Sequence, residues 1–343
     1  MQLPNKNFLS AKLQNLTNSH FQDGFTLLEM VLVLFLIGLL ASAGLLFTEG
    51  VEDQAKYDET KRRMELIRKA IIGDATRTIN GAPEVSGFAA DMGRLPECIR
   101  ELIVSEKCDG TSQDPWAIDP DTGFGYGWRG PYIQTIAHRK GEFRFRDGYN
   151  NDDDTENFGW HFTVAASSVQ LQSEGFDIVS ELDNFPQPIS SVIPSLIVKN
   201  DWLVTLPNAI NVNIKNQSTN SLPVTALTEK LLLRIYHSDL SDFDDANNGS
   251  GLPVTLAQSS VPATGIKTKT FELDDSKEIP LGNRAYALIC FEADPVDPND
   301  FVIFDGDCDS ASNSKPNSSN IRTFSVVPRN SLNLQLDWII PTP

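Results

Sequence analysis

Gly24-Phe25-Thr26-Leu27-Leu28-Glu29 opens an apolar run that continues to Phe47 and carries a single charge, that of Glu29. A helix needs roughly 20 apolar residues to cross a hydrocarbon core, and only a helix satisfies its own backbone polar groups there. Residues 25–47 therefore predict a transmembrane helix. Lys6 and Lys12 precede it, whereas Glu49, Glu52 and Asp53 follow. The positive-inside bias then leaves the N-terminus cytoplasmic and everything after Phe47 outside. A carboxylate in the spanning segment costs a few kcal/mol (about 3 at the bilayer centre) unless it finds a partner, so Glu29 asks for a counter-charge.

In an ordinary secretory signal the cleavage site follows a shorter apolar core; here the recognisable site precedes the run. In this the segment resembles the class III signal of type IV pilins and type II secretion pseudopilins. The resemblance implies that a prepilin peptidase cuts after Gly24, discards residues 1–24 as a leader and methylates the new N-terminus at Phe25. It also implies that Glu29 pairs with the Phe25 amine of a neighbouring subunit, setting the stagger between subunits as an inner-membrane assembly platform draws them into a filament. Two departures from the commonest family pattern stand out. Gln22-Asp23 precedes the glycine where a basic residue is usual, and no proline interrupts the chain from Phe25 to Ala82.

Composition fits an exported remainder. Loss of residues 1–24 removes Lys6, Lys12 and Asp23, leaving 26 basic and 45 acidic side chains and a net charge of −19. Such a surface lacks the basic stripe expected of a nucleic-acid binder, so no nucleic acid is expected among the partners. The four cysteines allow three pairings. Their local spacing in an exported chain favours Cys98 with Cys108 and Cys290 with Cys308. Without a CxxC, redox catalysis is not expected, and His20, His138, His161 and His237 are too scattered for zinc.

After the apolar run, residues 51–80 read as an amphipathic helix with Met64, Ile67, Ile71 and Ile79 on one stripe and Lys61, Arg62, Arg68 and Lys69 elsewhere. The expectation is one N-terminal helix over residues 25–80, weakened only slightly at Gly73 and stopped by Gly81-Ala82-Pro83. A globular head over residues 81–184 follows, with a short helix at residues 97–104. Its strand candidates are residues 160–164, 169–172 and 176–179, and the alternation Glu142-Phe143-Arg144-Phe145-Arg146. Within it, Asp91-Met92-Gly93-Arg94-Leu95-Pro96, Gly127-Trp128-Arg129-Gly130-Pro131-Tyr132, Phe158-Gly159-Trp160-His161-Phe162 and Ser173-Glu174-Gly175-Phe176-Asp177 resemble pseudopilin heads. Their glycines, prolines and tryptophans are expected to serve turns and packing.

A Pro- and Ser-rich linker at residues 185–194 separates the head from an all-β, sandwich-like domain over residues 195–343. Its expected strands are residues 202–206, 210–214, 231–236, 268–273, 285–291, 301–304, 321–327 and 332–340, with polar loops at 238–251 and 309–320. The fold class is thus α+β: a long N-terminal helix on a small antiparallel head, followed by a β-sandwich-like domain.

Two stretches could hold a cation. Asp147, Asp152, Asp153 and Asp154 lie on a glycine-containing loop, and Ca²⁺ takes six to eight oxygens; the spacing is not that of an EF-hand. Asp305, Asp307 and Asp309 around Cys308 form a weaker cluster. No cofactor is required. The signatures of a nucleophile elbow, a Walker A loop, HExxH and a dinucleotide fingerprint are missing, and no enzyme is expected. The functional expectation is a low-abundance structural subunit of a type IV filament, in a type II secretion pseudopilus before any other. The alternatives are a pilus adhesin or a competence minor pilin whose C-terminal domain binds a partner.

Overall fold

The computed structural model describes residues 26–74, 76–79, 82–118, 125–135, 141–151, 154–165, 167–173, 195–224, 226–238, 242–246, 249–291, 302–308, 321–327, 332 and 334–342. The chain divides into two compact units, Met1–Asp53 and Gln54–Pro343. Helix α1 (Leu27–Ile72) begins in the first and ends in the second. In the first unit, Leu27–Gly44 is long and apolar enough to cross a membrane, and none of it is buried against protein. A helix apolar on every face is what a lipid solvent selects.

In the second unit α1 becomes one-sided. Tyr57, Thr60, Met64, Ile67 and Ile71 are buried at three- and four-residue spacing, while Arg62 and Leu66 stay exposed. The helix stops eight residues before the expected end at 80, and Gly73 is the cause. It takes a left-handed conformation (φ 79°) and its N–H closes on the Lys69 carbonyl at 2.9 Å, the usual way a glycine ends a helix. A Cβ there would lie 2.5 Å from the Ser86 carbonyl oxygen, so the returning chain occupies the space a side chain would need. Ile79, expected on the helical stripe, falls instead in β1 (Thr78–Ile79), which pairs antiparallel with β2 (Ala82–Pro83).

The head continues through α2 (Phe88–Met92), a 3₁₀ turn at Ile99–Leu102 where the sequence indicates a short helix, and the small hairpin of β3 (Ala117–Ile118) and β4 (Gly125–Tyr126). Its main sheet runs β5 (Trp160–Ala165), β6 (Ser168–Ser173), β7 (Ser195–Ile197), all antiparallel. Two of its strands match the sequence reading; residues 176–179 lie outside the described residues. The alternation at 142–146 forms no strand of this sheet. The Trp160 indole donates to the Phe145 carbonyl at 3.0 Å and Arg63 to the Arg146 carbonyl at 2.7 Å, so side chains hold carbonyls that a ladder would have used. Met64, Ile67 and Ile71 of α1 share one core with Phe88, Leu102, Trp160, Leu171 and Ile197.

Ser195–Ile197, which composition places in the second domain, thus completes the head sheet, and Trp202 joins the head core as well. After α3 (Lys199–Trp202) come β8 (Leu203–Thr205), β9 (Ala209–Asn216), β10 (Thr228–Tyr236), β11 (Asp242–Ala246), β12 (Val254–Ala257), β13 (Ile266–Glu272) and β14 (Glu278–Pro280). The chain closes with β15 (Gly282–Cys290), β16 (Val302–Ile303), β17 (Arg322–Val326) and β18 (Gln335–Ile340). One sheet has the order β11-β10-β15-β16, with β12 also on β10 and β17 also on β15; another has the order β13-β9-β18. A single core fills the space between them, with Val212, Ile214, Leu231, Leu233, Phe271, Leu288 and Trp338 among its members. This is a sandwich-like arrangement.

Each expected C-terminal strand is present with shifted ends. Trp202 closes a helical turn instead of opening a strand, and β18 lies parallel to β9. Residues 238–251, expected as a polar loop, contain β11, which the open edge of β10 recruits by backbone pairing despite the sequence Asp-Phe-Asp-Asp-Ala. Strand propensity yields here to the available ladder.

The head and the sandwich meet where α2 packs on β15. Two glycines permit the approach. A Cβ on Gly282 (φ 135°) would lie 2.6 Å from the Ala90 carbonyl oxygen, and one on Gly93 (φ 68°) would lie 2.2 Å from Ser238 Oγ.

Candidate processing and assembly site

Gly24 and Phe25, the expected cut site, lie outside the described residues, which begin at Thr26. The first turn of α1 is described, and it explains why Glu29 stands where it does. Thr26 N–H and Thr26 Oγ–H both donate to Glu29 Oε2, at 2.9 and 3.1 Å. In return Glu29 N–H donates to Thr26 Oγ at 3.3 Å. This is a capping box, with Thr26 as N-cap and Glu29 three residues on. It satisfies two of the amides that every helix N-terminus leaves orphaned, and the carboxylate lies at the positive end of the helix dipole. The amide that Thr26 donates belongs to the Phe25–Thr26 peptide bond, which a cut after Gly24 would leave intact. The capping box therefore suits both the uncut and the cut chain.

Of the four carboxylates expected on the acidic loop, Asp147 and Asp154 are described. Asp147 is wholly buried. Its Oδ1 accepts the Tyr149 and Asn151 amides at 3.0 and 3.1 Å, and its Oδ2 accepts Asn151 Nδ2 at 2.8 Å and Ser173 Oγ at 2.6 Å. A carboxylate offers about four lone-pair positions, and all four are taken by donors that a cation would have to displace. Asp147 thus fits a structural staple and does not fit a calcium ligand. Asp154 Oδ1 gathers the amides of Glu156, Asn157 and Phe158; Asp152 and Asp153 lie outside the described residues. The loop is docked on α1, because Gly148 N–H donates to Thr60 Oγ at 2.9 Å and Arg63 Nη1 reaches the Asp147 carbonyl at 2.9 Å. Thr60, a polar residue on an apolar stripe, is the sequence signal that would have revealed this contact.

Of the second acidic cluster, only Asp305 and Asp307 are among the described residues. Burial pushes the Asp305 carboxyl up, and Asp309 is outside the described residues. Glu97, Glu101 and Cys108 converge elsewhere, but the Cys108 sulfur is in a disulfide and both oxygens of buried Glu101 are held by Arg94, at 2.8 and 3.2 Å.

Both expected disulfides are present: Cys98–Cys108 with Cα atoms 5.9 Å apart and Cys290–Cys308 with 5.7 Å. Each closes a local loop. Among the described residues, the head motifs serve turns and packing. Gly93 caps α2 in the left-handed conformation, Trp128 Nε1 donates to the Glu101 carbonyl at 2.7 Å, and the Tyr132 hydroxyl donates to Asp91 at 3.0 Å.

The family model of the prokaryotic N-terminal methylation motif matches residues 20–45. No curated protein and no solved structure matches the chain. The motif implies processing by prepilin peptidase and assembly with other pilins, and the single apolar helix is consistent with inner-membrane anchoring. Residues 20–45 thus carry the prokaryotic N-terminal methylation motif at the head of an apolar helix, an arrangement consistent with a type IV pilin-like protein.

Proposed function

We propose that the chain is a low-abundance, non-enzymatic subunit of a type II secretion pseudopilus, cut before Phe25 and held in the inner membrane with its globular part in the periplasm. The observation that carries this reading is the joining of a methylation motif to an exposed apolar helix whose continuation packs a head containing pseudopilin-like motifs. Its action is mechanical: the helix leaves the bilayer for a bundle of neighbouring helices, and the Phe25 amine of one subunit meets Glu29 of the next. A second folded layer of the size of the β-sandwich is hard to repeat along a tightly packed shaft, which favours a tip or occasional position.

Removal of the whole chain from its host tests the assignment. Loss of secreted enzymes with surface attachment intact is the expected outcome. Normal secretion with lost attachment would instead make the chain an adhesin.

A further inference from the structure

A polar cleft opens at the seam between α2 and β15, in two adjoining chambers of about 310 and 550 Å³ that share Val85, Asp91, Arg129 and Asn283. Together they are within the size range of small-molecule sites. Two groups in the cleft carry unused hydrogen-bonding capacity. Arg284 is 1% exposed, and its terminal nitrogens are spent on the carbonyls of Ala90, Asn283 and Leu281, but its Nε has no hydrogen-bond partner. Asp91 accepts only the Tyr132 hydroxyl, at its Oδ2, among the described residues. Burial pushes the Asp91 carboxyl up and the Arg284 guanidinium down to about 10. Arg284, whose Nε is buried and unpaired, and the half-buried Asp91 thus line one cleft, and an unsatisfied buried polar group costs about 1–3 kcal/mol.

We propose that this cleft binds a neutral saccharide. An anion would meet the Asp91 carboxylate, and a cation would meet Arg129 and Arg284. An apolar ligand would leave the buried Arg284 Nε unpaired and cover the Asp91 carboxylate without a donor. What fits is an uncharged ligand whose groups both donate and accept, and sugar hydroxyls do both. The rest of the wall matches. Asn283, Ser238 and Thr323 add short polar side chains, and Tyr126 and the 42% exposed Trp116 add aromatic surface for a sugar's C–H faces. Arg129 is held over the Trp116 ring at 5.7 Å. A peptide bound by strand addition would need an open strand edge, whereas this lining consists of side chains from several elements.

The full chain, held in a detergent without a sugar headgroup, is titrated by calorimetry with cellobiose, maltose and N,N′-diacetylchitobiose, and with sulfate and triglycine as controls. Saturable binding of at least one disaccharide is expected, weakened about tenfold or more in Trp116→Ala and in Asp91→Asn, the size of losing one good contact. Circular dichroism and unchanged melting establish that both variants are folded. No saturable disaccharide binding, binding indifferent to both substitutions, or tighter binding of sulfate or triglycine would overturn the proposal.

Discussion

Asp147 illustrates how one carboxylate can be read two ways. An Asp in an Asp- and Asn-rich loop has the composition of a cation site, yet its four partners are protein donors: two amides, a side-chain amide and a hydroxyl. Asp147→Ala would strand several buried donors, and since each unsatisfied group costs about 1–3 kcal/mol, a loss of at least about 2 kcal/mol in head stability is expected from chemical denaturation. A chelator should leave the wild-type unfolding midpoint where it was. A midpoint that falls on chelation and recovers with Ca²⁺ would return the loop to metal binding. What was illegible at this scale is the docking: Ser173, the one distant donor to the carboxylate, and Thr60 and Arg63, which hold the loop's backbone on α1, come from far along the chain. The Thr26 contact of Glu29 was legible but not read: only a neighbouring subunit's amine was expected as partner, although Thr26 is three residues away and the pattern Thr-Leu-Leu-Glu before an apolar run is itself a helix-start signature.

Among the elements, α1 was legible wherever its surroundings are uniform. The exposed apolar stretch needs only apolar residues, and the stripe through Met64, Ile67 and Ile71 needs only helical spacing. Its end was not legible, because a mid-helix glycine is usually tolerated at a cost of about 1 kcal/mol and only the approach of Ser86 turns Gly73 into a terminator. The strands with alternating Val, Ile and Leu could likewise be read from sequence, whereas β11 exists because β10 has an edge to offer. In the second unit α1 also carries a pH response. The hydrogen bond from Arg62, followed by that from Arg63, holds the Glu59 carboxyl down from 4.5 to about 2. A depressed carboxyl stabilises the fold above its unfolded value, and that contribution is lost as pH falls through the folded one. Wild-type melting should therefore drop between pH 4.5 and about 2 more than that of Glu59→Gln. The difference will be small, because Arg62 is largely solvent-exposed and screening weakens such pairs. Equal slopes for the two proteins would remove Glu59 from the account.

For the molecule as a whole, the sequence separates an apolar helix, a head and a β-rich region, but it does not reveal how closely the last two are joined. The change of composition at residues 185–194 suggests a boundary, yet β7 and Trp202 belong to the head core, and the seam is closed by Gly93, Gly282 and Arg284. Such a joint depends on close approaches between residues far apart in sequence, which no local pattern encodes. The two disulfides, each expected to contribute about 2–4 kcal/mol, clip loops within the head and within the sandwich and do not span the joint. All of this is the body of a subunit whose assignment depends on its first turn, so the most direct test is the intact mass and N-terminal sequence of the protein purified from its native membrane. The account predicts a chain beginning with N-methylated Phe25 and lacking residues 1–24; a chain that still begins with Met1 would contradict it.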